Sequence, residues 1–342
     1  MKVVEVISPG EIQVAKRPVP ARGERALVRV GSVGICGTDV KIVSGGIPVD
    51  YPRVLGHEMV GVVEVAADSG RIEKGTRVVL NPAMWCGRCH LCTRDLEHLC
   101  CNGGLLGRDG DGVFAEYVVA SDDCLHIVPD DMSSSAAVLL QVLGTVVHAQ
   151  RRVDIIGGQT AVVIGLGVTG LLHLQMLLAR GVQQVIGISR SPEKLALASQ
   201  LGATLTSRPD EATSTVSELT EGRGADIVVE CVGTEATLVQ SVELAGHSGQ
   251  IVVFGTITES GDGPRLPYYQ LYEKELTLHH PRAASSEDYE AGIAMLEEGG
   301  LRLEQLEQLV TSLHDLSDPH DAFEAVGKNG SLKVVMEVST DI

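Results

Sequence analysis

The chain has 342 residues, and its 45 acidic residues against 27 Lys and Arg give a formal net charge of −18. This length exceeds what one hydrophobic core usually supports and predicts two domains. The negative charge argues against nucleic acid and anionic membranes as partners, because binding to phosphate groups requires clustered Lys and Arg. The first residues alternate like a β-strand and lack the apolar segment of a signal peptide, so we expect a cytoplasmic protein.

The predicted elements change in character along the chain. Residues 1 to about 130 contain short apolar strands separated by Gly, Pro and Asp clusters, which predicts a β-rich, barrel-like domain. From about 151 to 282, buried apolar strands alternate with amphipathic helices, the pattern of a parallel, doubly wound α/β sheet. The tail from about 283 adds a helix and a final strand. One long apolar run, 161–179, contains glycines at loop spacing and polar residues, so it predicts a strand followed by a helix rather than a membrane span.

Four cysteines predict a structural zinc site. Cys86, Cys89, Cys92 and Cys100 follow one another at spacings of three, three and eight residues. Short Cys-x-x-Cys steps let one reversing loop direct several sulfurs at a single centre, and four thiolates complete the tetrahedron of Zn²⁺. Disulfides are the alternative, but the sequence shows no sign of an oxidising compartment. The neighbouring Cys101 is the alternative fourth ligand.

A glycine-rich loop predicts a dinucleotide site. Gly165, Gly167 and Gly170 form the sequence G-L-G-V-T-G between an apolar strand and an apolar helix, and this context makes the pattern specific. The first glycine permits the turn, the second lets the backbone approach a pyrophosphate, and the third lets helix and strand pack closely. Leu166 and Val168 belong to the same loop, which leads into a helix N-terminus that faces the anion.

The residues after the next strand predict which dinucleotide binds. An acidic residue at that point binds the ribose 2′-hydroxyl of NAD, but this chain has Ser189 and Arg190. A hydroxyl beside a guanidinium can hold a 2′-phosphate by charge-assisted hydrogen bonds, whereas a carboxylate would repel it. We therefore expect NADP(H) as the cofactor. Lys194 either adds charge to this site or remains a solvated helix residue.

Two upstream segments, GICGTD at 34–39 and GHE at 56–58, offer a second set of metal ligands. Cys36 supplies a thiolate, His57 an imidazole and Glu58 a carboxylate. Such a mixed, incomplete set suits a catalytic zinc that keeps a position for water or substrate. Taken alone the set is weak evidence, since a lone Cys or His is more often a core residue.

Together these motifs resemble the zinc-dependent medium-chain dehydrogenase/reductase family, which contains alcohol, polyol and sugar dehydrogenases. The resemblance covers nearly the whole chain, from GICGTD and GHE through the cysteine loop and GLGVTG to GQIVVFG and the closing SLKVV. It implies a GroES-like catalytic domain at 1–150, completed by 283–342, and a Rossmann NADP-binding domain at 151–282. It also implies a homo-oligomer, either a dimer or a tetramer.

The resemblance assigns roles to the residues of the first two motifs. Cys36 and His57 match the ligands of the catalytic zinc, and Glu58 matches a carboxylate that ligates the metal or lies just behind it. Asp39 matches the group that orients the ligating histidine. Thr38 matches the hydroxyl that takes the substrate proton.

Four further positions are assigned in the same way. Gln141 stands where relatives have a glutamate or a cysteine ligand, and Thr145 matches a residue that packs on the nicotinamide. Lys41 replaces a histidine that many members use to pass the proton to water, and an ordinary lysine is a poor base at neutral pH. Lys333 matches a basic position that approaches the cofactor pyrophosphate, with a plain surface lysine as the alternative.

These residues predict a zinc-dependent oxidoreductase that uses NADP(H) to interconvert a secondary alcohol, polyol or sugar and its ketone. A threonine or amino-alcohol dehydrogenase shares the same motifs, although such an enzyme is more often NAD-linked. A different class also remains open, a catalytically silent, zinc-stabilised binding protein, because Gln141 and Lys41 depart from the family pattern.

Overall fold

The computed structural model describes residues 1–257 and 263–339. It divides into two compact units. The first unit contains Met1–Gly144 and the described residues from Ala283 onward, and the second unit contains the described residues of Thr145–Arg282. The sequence alone places the first boundary at residue 150. In the structure the boundary lies inside a continuous helix, where no turn or change in composition marks it.

The strands, numbered in chain order, are β1 (Lys2–Ser8), β2 (Glu11–Lys16), β3 (Ala26–Ile35), β4 (Arg53–Val54), β5 (Glu58–Val65), β6 (Arg77–Leu80), β7 (Ala83–Met84), β8 (Gly104–Leu105), β9 (Tyr117–Ala120), β10 (Leu125–Ile127), β11 (Thr160–Ile164), β12 (Gln184–Ile188), β13 (Leu205–Ser207), β14 (Ala225–Glu230), β15 (Ala245–Val253), β16 (Thr277–His279), β17 (Val310–Asp315) and β18 (Lys333–Glu337). The α-helices are α1 (Gly37–Val43), α2 (Ser134–Ala137), α3 (Leu139–Gln150), α4 (Val168–Ala179), α5 (Pro192–Gln200), α6 (Ala212–Leu219), α7 (Glu235–Leu244), α8 (Tyr268–Glu273), α9 (Ser286–Glu297), α10 (Leu303–Glu307) and α11 (Pro319–Val326). Short 3-10 turns occur at Cys92–Arg94, Glu97–Leu99 and Asp122–Cys124.

The first unit is built around strand β3. Its sheet has the order β10-β6-β5-β3-β18-β17, and β9 also pairs with β3. Val28, Val30 and Val33 of β3 are fully buried in the core. The tail strand β18 pairs antiparallel with β3, so the end of the chain completes the sheet that the beginning of the chain starts.

The second unit is a six-stranded parallel sheet in the order β13-β12-β11-β14-β15-β16. Its strands are buried and rich in Val and Ile, as expected for a parallel sheet covered by helices. The order reverses between β11 and β14, and ligands of such sheets bind at the carboxyl ends of the strands beside this point. The predicted α/β class, with a doubly wound parallel sheet, is confirmed.

Some short elements are not apparent from the sequence. The sequence of β17, VTSLHD, contains no apolar run and therefore resembles a loop. In the structure its side chains alternate between half-buried and exposed, as in a strand. The short helices α6, α10 and α11 are likewise not identified from the sequence, although α6 and α11 are amphipathic. None of the helices in the described residues is both long and apolar enough to cross a membrane.

Candidate active site

Three neighbouring strands of the first unit carry the residues of the candidate metal site. Cys36 directly follows β3, His57 and Glu58 stand at the start of β5, and Lys333 opens β18. β3 pairs antiparallel with both β5 and β18, with Gly34 opposite Glu58. The antiparallel register therefore brings the end of one strand together with the beginnings of its two neighbours.

Cys36, His57 and Glu58 form a compact cluster of possible ligands. One ligand atom from each residue lies within 4.8 Å of the others, and His57 and Glu58 are buried. Glu58 Oε1 has no hydrogen-bond partner among the described residues. Leaving a buried carboxylate oxygen without a partner is unfavourable, and thiolate, imidazole and carboxylate are the ligands that zinc takes in proteins. The cluster therefore fits a zinc ion.

Lys333 lies in this cluster and not on the surface. It is 4% exposed, and its Nζ donates hydrogen bonds to Glu58 Oε2 at 2.5 Å and to Ile35 O at 3.3 Å. Burial lowers the pKa of Lys333, but the charges of Glu58 and Cys36 outweigh burial and raise it above its ordinary value. A Cβ atom at Gly34 would clash with Glu58 Oε2, so the glycine leaves room for this ion pair. The alternative of a plain surface lysine is therefore wrong, and Lys333 forms an ion pair with Glu58.

Asp39 lies behind His57 at the start of α1. Its fully buried carboxylate accepts hydrogen bonds from the Cys36 N–H at 2.9 Å and the Gly56 N–H at 3.1 Å, and Oδ1 is 3.7 Å from His57 Nδ1. Burial lowers the pKa of His57, but the charges of Asp39 and Cys36 outweigh burial and raise it to about 9. The imidazole must therefore lose a proton before it can ligate a metal.

Thr38 and Lys41 lie on the same short helix. Thr38 Oγ1 is 3.9 Å from Cys36 Sγ, which places the hydroxyl beside the candidate ligands. Lys41 follows one turn later and is exposed to solvent. Only the threonine is therefore positioned by the structure next to the metal cluster.

Gln141 is held by an aromatic residue that the sequence does not single out. Gln141 lies on α3, is 8% exposed, and its side chain is hydrogen-bonded to Tyr289 of α9. Burial raises the pKa of Tyr289 far above its usual range, so the phenol stays neutral. A Cβ atom at Gly144 would lie 3.2 Å from the Tyr289 ring, and the glycine therefore permits the close packing. Thr145 follows Gln141 by one turn and is partly buried.

The four predicted sulfur ligands come together in one loop. The sulfur atoms of Cys86, Cys89, Cys92 and Cys100 all lie within 4.8 Å of one another. Cys89 Sγ is 3.5 Å from Cys92 Sγ and 3.8 Å from Cys100 Sγ. These distances are close to the sulfur separation of about 3.8 Å that tetrahedral Zn–S bonds of about 2.3 Å imply. Cys101 is exposed, so the structure groups Cys100, and not its neighbour, with the other three sulfurs.

The thiols of this loop differ in acidity. Backbone N–H groups of Cys92 and Cys101 lower the pKa of Cys89 to about 5. Burial and the hydrogen bond with Cys89 raise the pKa of Cys92 to about 12. Thiols release their protons when they bind a metal as thiolates, so metal binding to this loop depends on pH.

The glycine loop of the second unit leaves the start of α4 open. Gly165 has φ 92°, a left-handed conformation that favours glycine. Gly167 is the N-cap of α4, and a Cβ atom there would meet nothing within 4 Å. A Cβ atom at Gly170 would clash with the Gly165 carbonyl oxygen. The third glycine thus permits close packing, and the second leaves space in front of the helix for an anion.

Positive residues gather at the carboxyl ends of β12 and β13. Ser189 and Arg190 directly follow β12, and the Ser189 N–H donates to Ser207 O at 3.1 Å. Arg208 Nη1 donates to Arg190 O at 3.4 Å, so a second guanidinium lies beside this turn. Lys194, in the first turn of α5, is half-buried, and burial lowers its pKa. Sequence analysis misses Arg208 because the residue follows a different strand, β13, and only the pairing of β13 with β12 brings it close.

Comparisons with known proteins agree with this geometry. Residues 22–130 match the family described as alcohol dehydrogenase GroES-like domain, and residues 168–298 match the family described as zinc-binding dehydrogenase. The chain is 29% identical to the sorbitol dehydrogenase of Halalkalibacterium halodurans over 96% of both chains. It is 35% identical to the L-threonine 3-dehydrogenase of Bacillus subtilis over 68% of this chain and 69% of that protein. The structure of a zinc-binding dehydrogenase from Sinorhizobium meliloti bound to NADP superposes with a TM-score of 0.90 at 28% identity, covering 98% of this chain and 99% of the other.

The two clusters predict different consequences for loss of a cysteine. Cys36→Ser is expected to leave a folded chain that holds about one zinc ion instead of two and loses about 10³-fold in kcat/KM, since Lewis-acid stabilisation contributes several kcal/mol. Cys89→Ser is expected to lower the Tm, because a structural site contributes to folding. Elemental analysis, activity and thermal unfolding measure these effects. Cys101→Ser is the matched control and should retain both zinc ions. Two zinc ions retained in folded Cys36→Ser would contradict the assignment of that ligand.

Proposed function

We propose a function on the premise that this chain belongs to the zinc-dependent medium-chain dehydrogenase/reductase family, as its motifs predict and its domain matches confirm. The chain is an NADP(H)-dependent zinc dehydrogenase that interconverts a secondary alcohol, polyol or sugar with the corresponding ketone. The observation that carries this proposal is the Cys36, His57 and Glu58 cluster with its unpartnered carboxylate oxygen. The 2′-phosphate site at Ser189 and Arg190 supports the choice of cofactor.

Two zinc ions and one dinucleotide complete the proposed enzyme. Cys36 and His57 hold the catalytic zinc with help from Glu58 or Gln141, and the four-sulfur loop holds the structural zinc. When bound, the catalytic zinc polarises the substrate oxygen and the nicotinamide accepts or donates the hydride. The expected homo-oligomer and cytoplasmic location remain predictions.

The residues of the chain supply proton transfer and orientation. The Thr38 hydroxyl, 3.9 Å from Cys36 Sγ, would take the proton of the substrate alcohol and at the same time release its own proton towards solvent, so that it acts as a relay and stays neutral. Asp39 fixes the orientation of His57 through its two backbone hydrogen bonds and its contact with Nδ1. The ammonium group of Lys333 donates a hydrogen bond to one oxygen of Glu58 and so places a positive charge beside this buried carboxyl group.

The carboxyl ends of β12 and β13 supply the argument for NADP(H). Ser189 stands where a carboxylate would select NAD; Arg190 is the next residue, and the guanidinium group of Arg208 donates a hydrogen bond to the backbone carbonyl of Arg190. Arginine suits a phosphate group because its planar guanidinium donates paired hydrogen bonds. Lys194 adds a further positive charge within the first turn of the following helix.

A substrate panel tests the proposal directly. The zinc-loaded chain is offered alcohols, polyols and sugars with NADP⁺ and, separately, with NAD⁺, and the absorbance of the reduced cofactor is recorded. We expect turnover of at least one secondary alcohol or polyol with NADP⁺ preferred. Absence of turnover in both directions, with both zinc ions present, would favour the catalytically silent binding protein.

A threonine or amino-alcohol dehydrogenase is the second candidate. The identity of 35% to an L-threonine 3-dehydrogenase, although over 68% of this chain, favours it. Ser189 and Arg190 count against it, since threonine oxidation in this family is more often NAD-linked. Reduction of NAD⁺ by L-threonine that exceeds reduction of NADP⁺ by every polyol would select this alternative.

The choice of phosphate is tested by single substitutions. Arg190→Ala and Arg208→Ala are each expected to weaken NADPH binding by about 1.5–3 kcal/mol, or roughly 10- to 150-fold, and to leave NADH binding nearly unchanged. Ser189→Asp should reverse the preference for NADPH over NADH. The new carboxylate repels the 2′-phosphate of NADPH and accepts hydrogen bonds from the ribose hydroxyls of NADH. Calorimetry with both cofactors measures the affinities.

Arg223→Ala serves as the control for these variants. Arg223 is exposed and precedes β14, at the opposite, amino end of a strand in the same sheet. The Arg223→Ala variant should leave the affinities for NADPH and NADH unchanged. Equal losses of NADPH and NADH in the Arg190 and Arg208 variants would reject the phosphate site.

Gln141→Glu tests whether this side chain belongs to the metal site. A carboxylate donates more charge to zinc than an amide does, so loss of zinc to a chelator should slow by about tenfold. The added negative charge also disfavours deprotonation of the substrate hydroxyl, so the rise of alcohol oxidation with pH should move to higher pH. Tyr289→Phe, which removes only the hydrogen-bonding partner of Gln141, provides the comparison. Unchanged chelator kinetics and an unchanged pH profile would place Gln141 outside the set of ligands.

A further inference from the structure

A large cavity in the first unit lies apart from the candidate zinc cluster. Its volume is about 910 Å³, and its walls come from the four-cysteine loop, the segment from Asp122 to Ile127, and helix α9. Cys36, His57 and Glu58 do not line it. The volume falls within the range of small-molecule sites, and the proposed dehydrogenase reaction assigns the cavity no role.

The cavity is strongly acidic. Seven of its lining residues are Asp or Glu and one is an arginine, Arg71. Arg71 is already paired with Asp123. Glu290 and Glu297 are seven residues apart on α9, so they lie on the same helix face with Ile293 between them. A wall of this composition creates a negative potential over an apolar surface.

Two buried polar side chains in this wall have unsatisfied atoms. Asp122 is 7% exposed; its Oδ2 accepts from Ser69 Oγ, and its Oδ1 has no partner among the described residues. His126 is 6% exposed, and its Nε2 likewise has no partner there. Burial lowers the pKa of His126 to about 4, so the ring is neutral and adds no positive charge to the cavity. Both side chains thus carry a buried polar atom without a partner among the described residues, in a wall that already carries an excess of carboxylates.

We propose that this cavity is a binding site for an aliphatic polyamine, a linear chain of methylene groups that carries two or more ammonium ions. The carboxylates lie on three separate segments of the wall, which suits several spaced charges better than the close convergence that a single metal ion needs. Trp85, Ile72 and Leu125 line the cavity as well. They offer an indole face for an ammonium group and apolar surface for the methylene groups.

The test uses the full zinc-loaded chain and spermidine as the probe. Trp85 is the only tryptophan in the sequence, so its fluorescence reports on this cavity. We expect a saturable change in fluorescence with spermidine and a calorimetric stoichiometry of about one per chain. Non-saturating binding would overturn the proposal, because it would indicate counterion attraction to an acidic surface. Displacement of spermidine by Mg²⁺ at equal ionic strength would also overturn it, because the site would then be a metal site.

A pair of double variants separates the cavity from the overall charge of the chain. Glu290→Gln with Glu297→Gln removes two carboxylates from the cavity wall and should weaken spermidine binding by at least about tenfold. Glu304→Gln with Glu307→Gln replaces two exposed glutamates of α10 that lie outside the cavity, and it changes the net charge of the chain by the same amount. This control should retain the affinity within about twofold. Equal losses in both variants would reject the cavity as the binding site.

Discussion

The buried pair of Glu58 and Lys333 is the interaction on which the candidate active site depends. Removing one partner of such a pair leaves an uncompensated buried charge, at a cost of about 3–5 kcal/mol. The two residues are 275 positions apart, so this ion pair ties the tail strand β18 to the start of β5. Gly34, between them on β3, lacks the side chain that would occupy the same space. The C-terminal strand is therefore part of the metal site as well as of the sheet.

This pair also limits what Glu58 can do. Lys333 occupies Oε2, which leaves Oε1 as the oxygen free for another partner. The charges of nearby Asp39 and Cys36 outweigh burial and raise the pKa of His57 to about 9. A divalent cation replaces the imidazole proton as the positive charge of the cluster, so metal and proton compete for the same environment. Lys333 supplies one positive charge to the cluster in either state.

Sequence reasoning identifies the parts of the site whose chemistry is local. The cysteine loop, GICGTD, GHE and the glycine loop each contain their functional residues within a short segment, and spacing alone indicates what they do. Lys333, Tyr289 and Arg208 are different, because each acts through a partner that only strand pairing or helix packing brings near. Lys333 is recognised from the sequence as a basic position, but its partner is not. The β-rich and parallel-sheet patterns predict the two folds, whereas the unit boundary inside α3 has no signal in the sequence.

Tyr289 connects the two sites of the first unit. Its ring stacks on His126 of the acidic cavity, with centroids 4.8 Å apart and an interplanar angle of 5°, and its side chain is hydrogen-bonded to Gln141. Gly144 admits the ring against α3, and in a closely packed interior a displaced ring moves its neighbours. If a cavity ligand displaces His126, we expect Tyr289 and its hydrogen bond to Gln141 to shift with it. The coupling free energy between the two sites is given by the ratio of zinc or alcohol affinities with and without a cavity ligand. Because linkage is reciprocal, bound zinc or alcohol must change the affinity for the cavity ligand by the same factor.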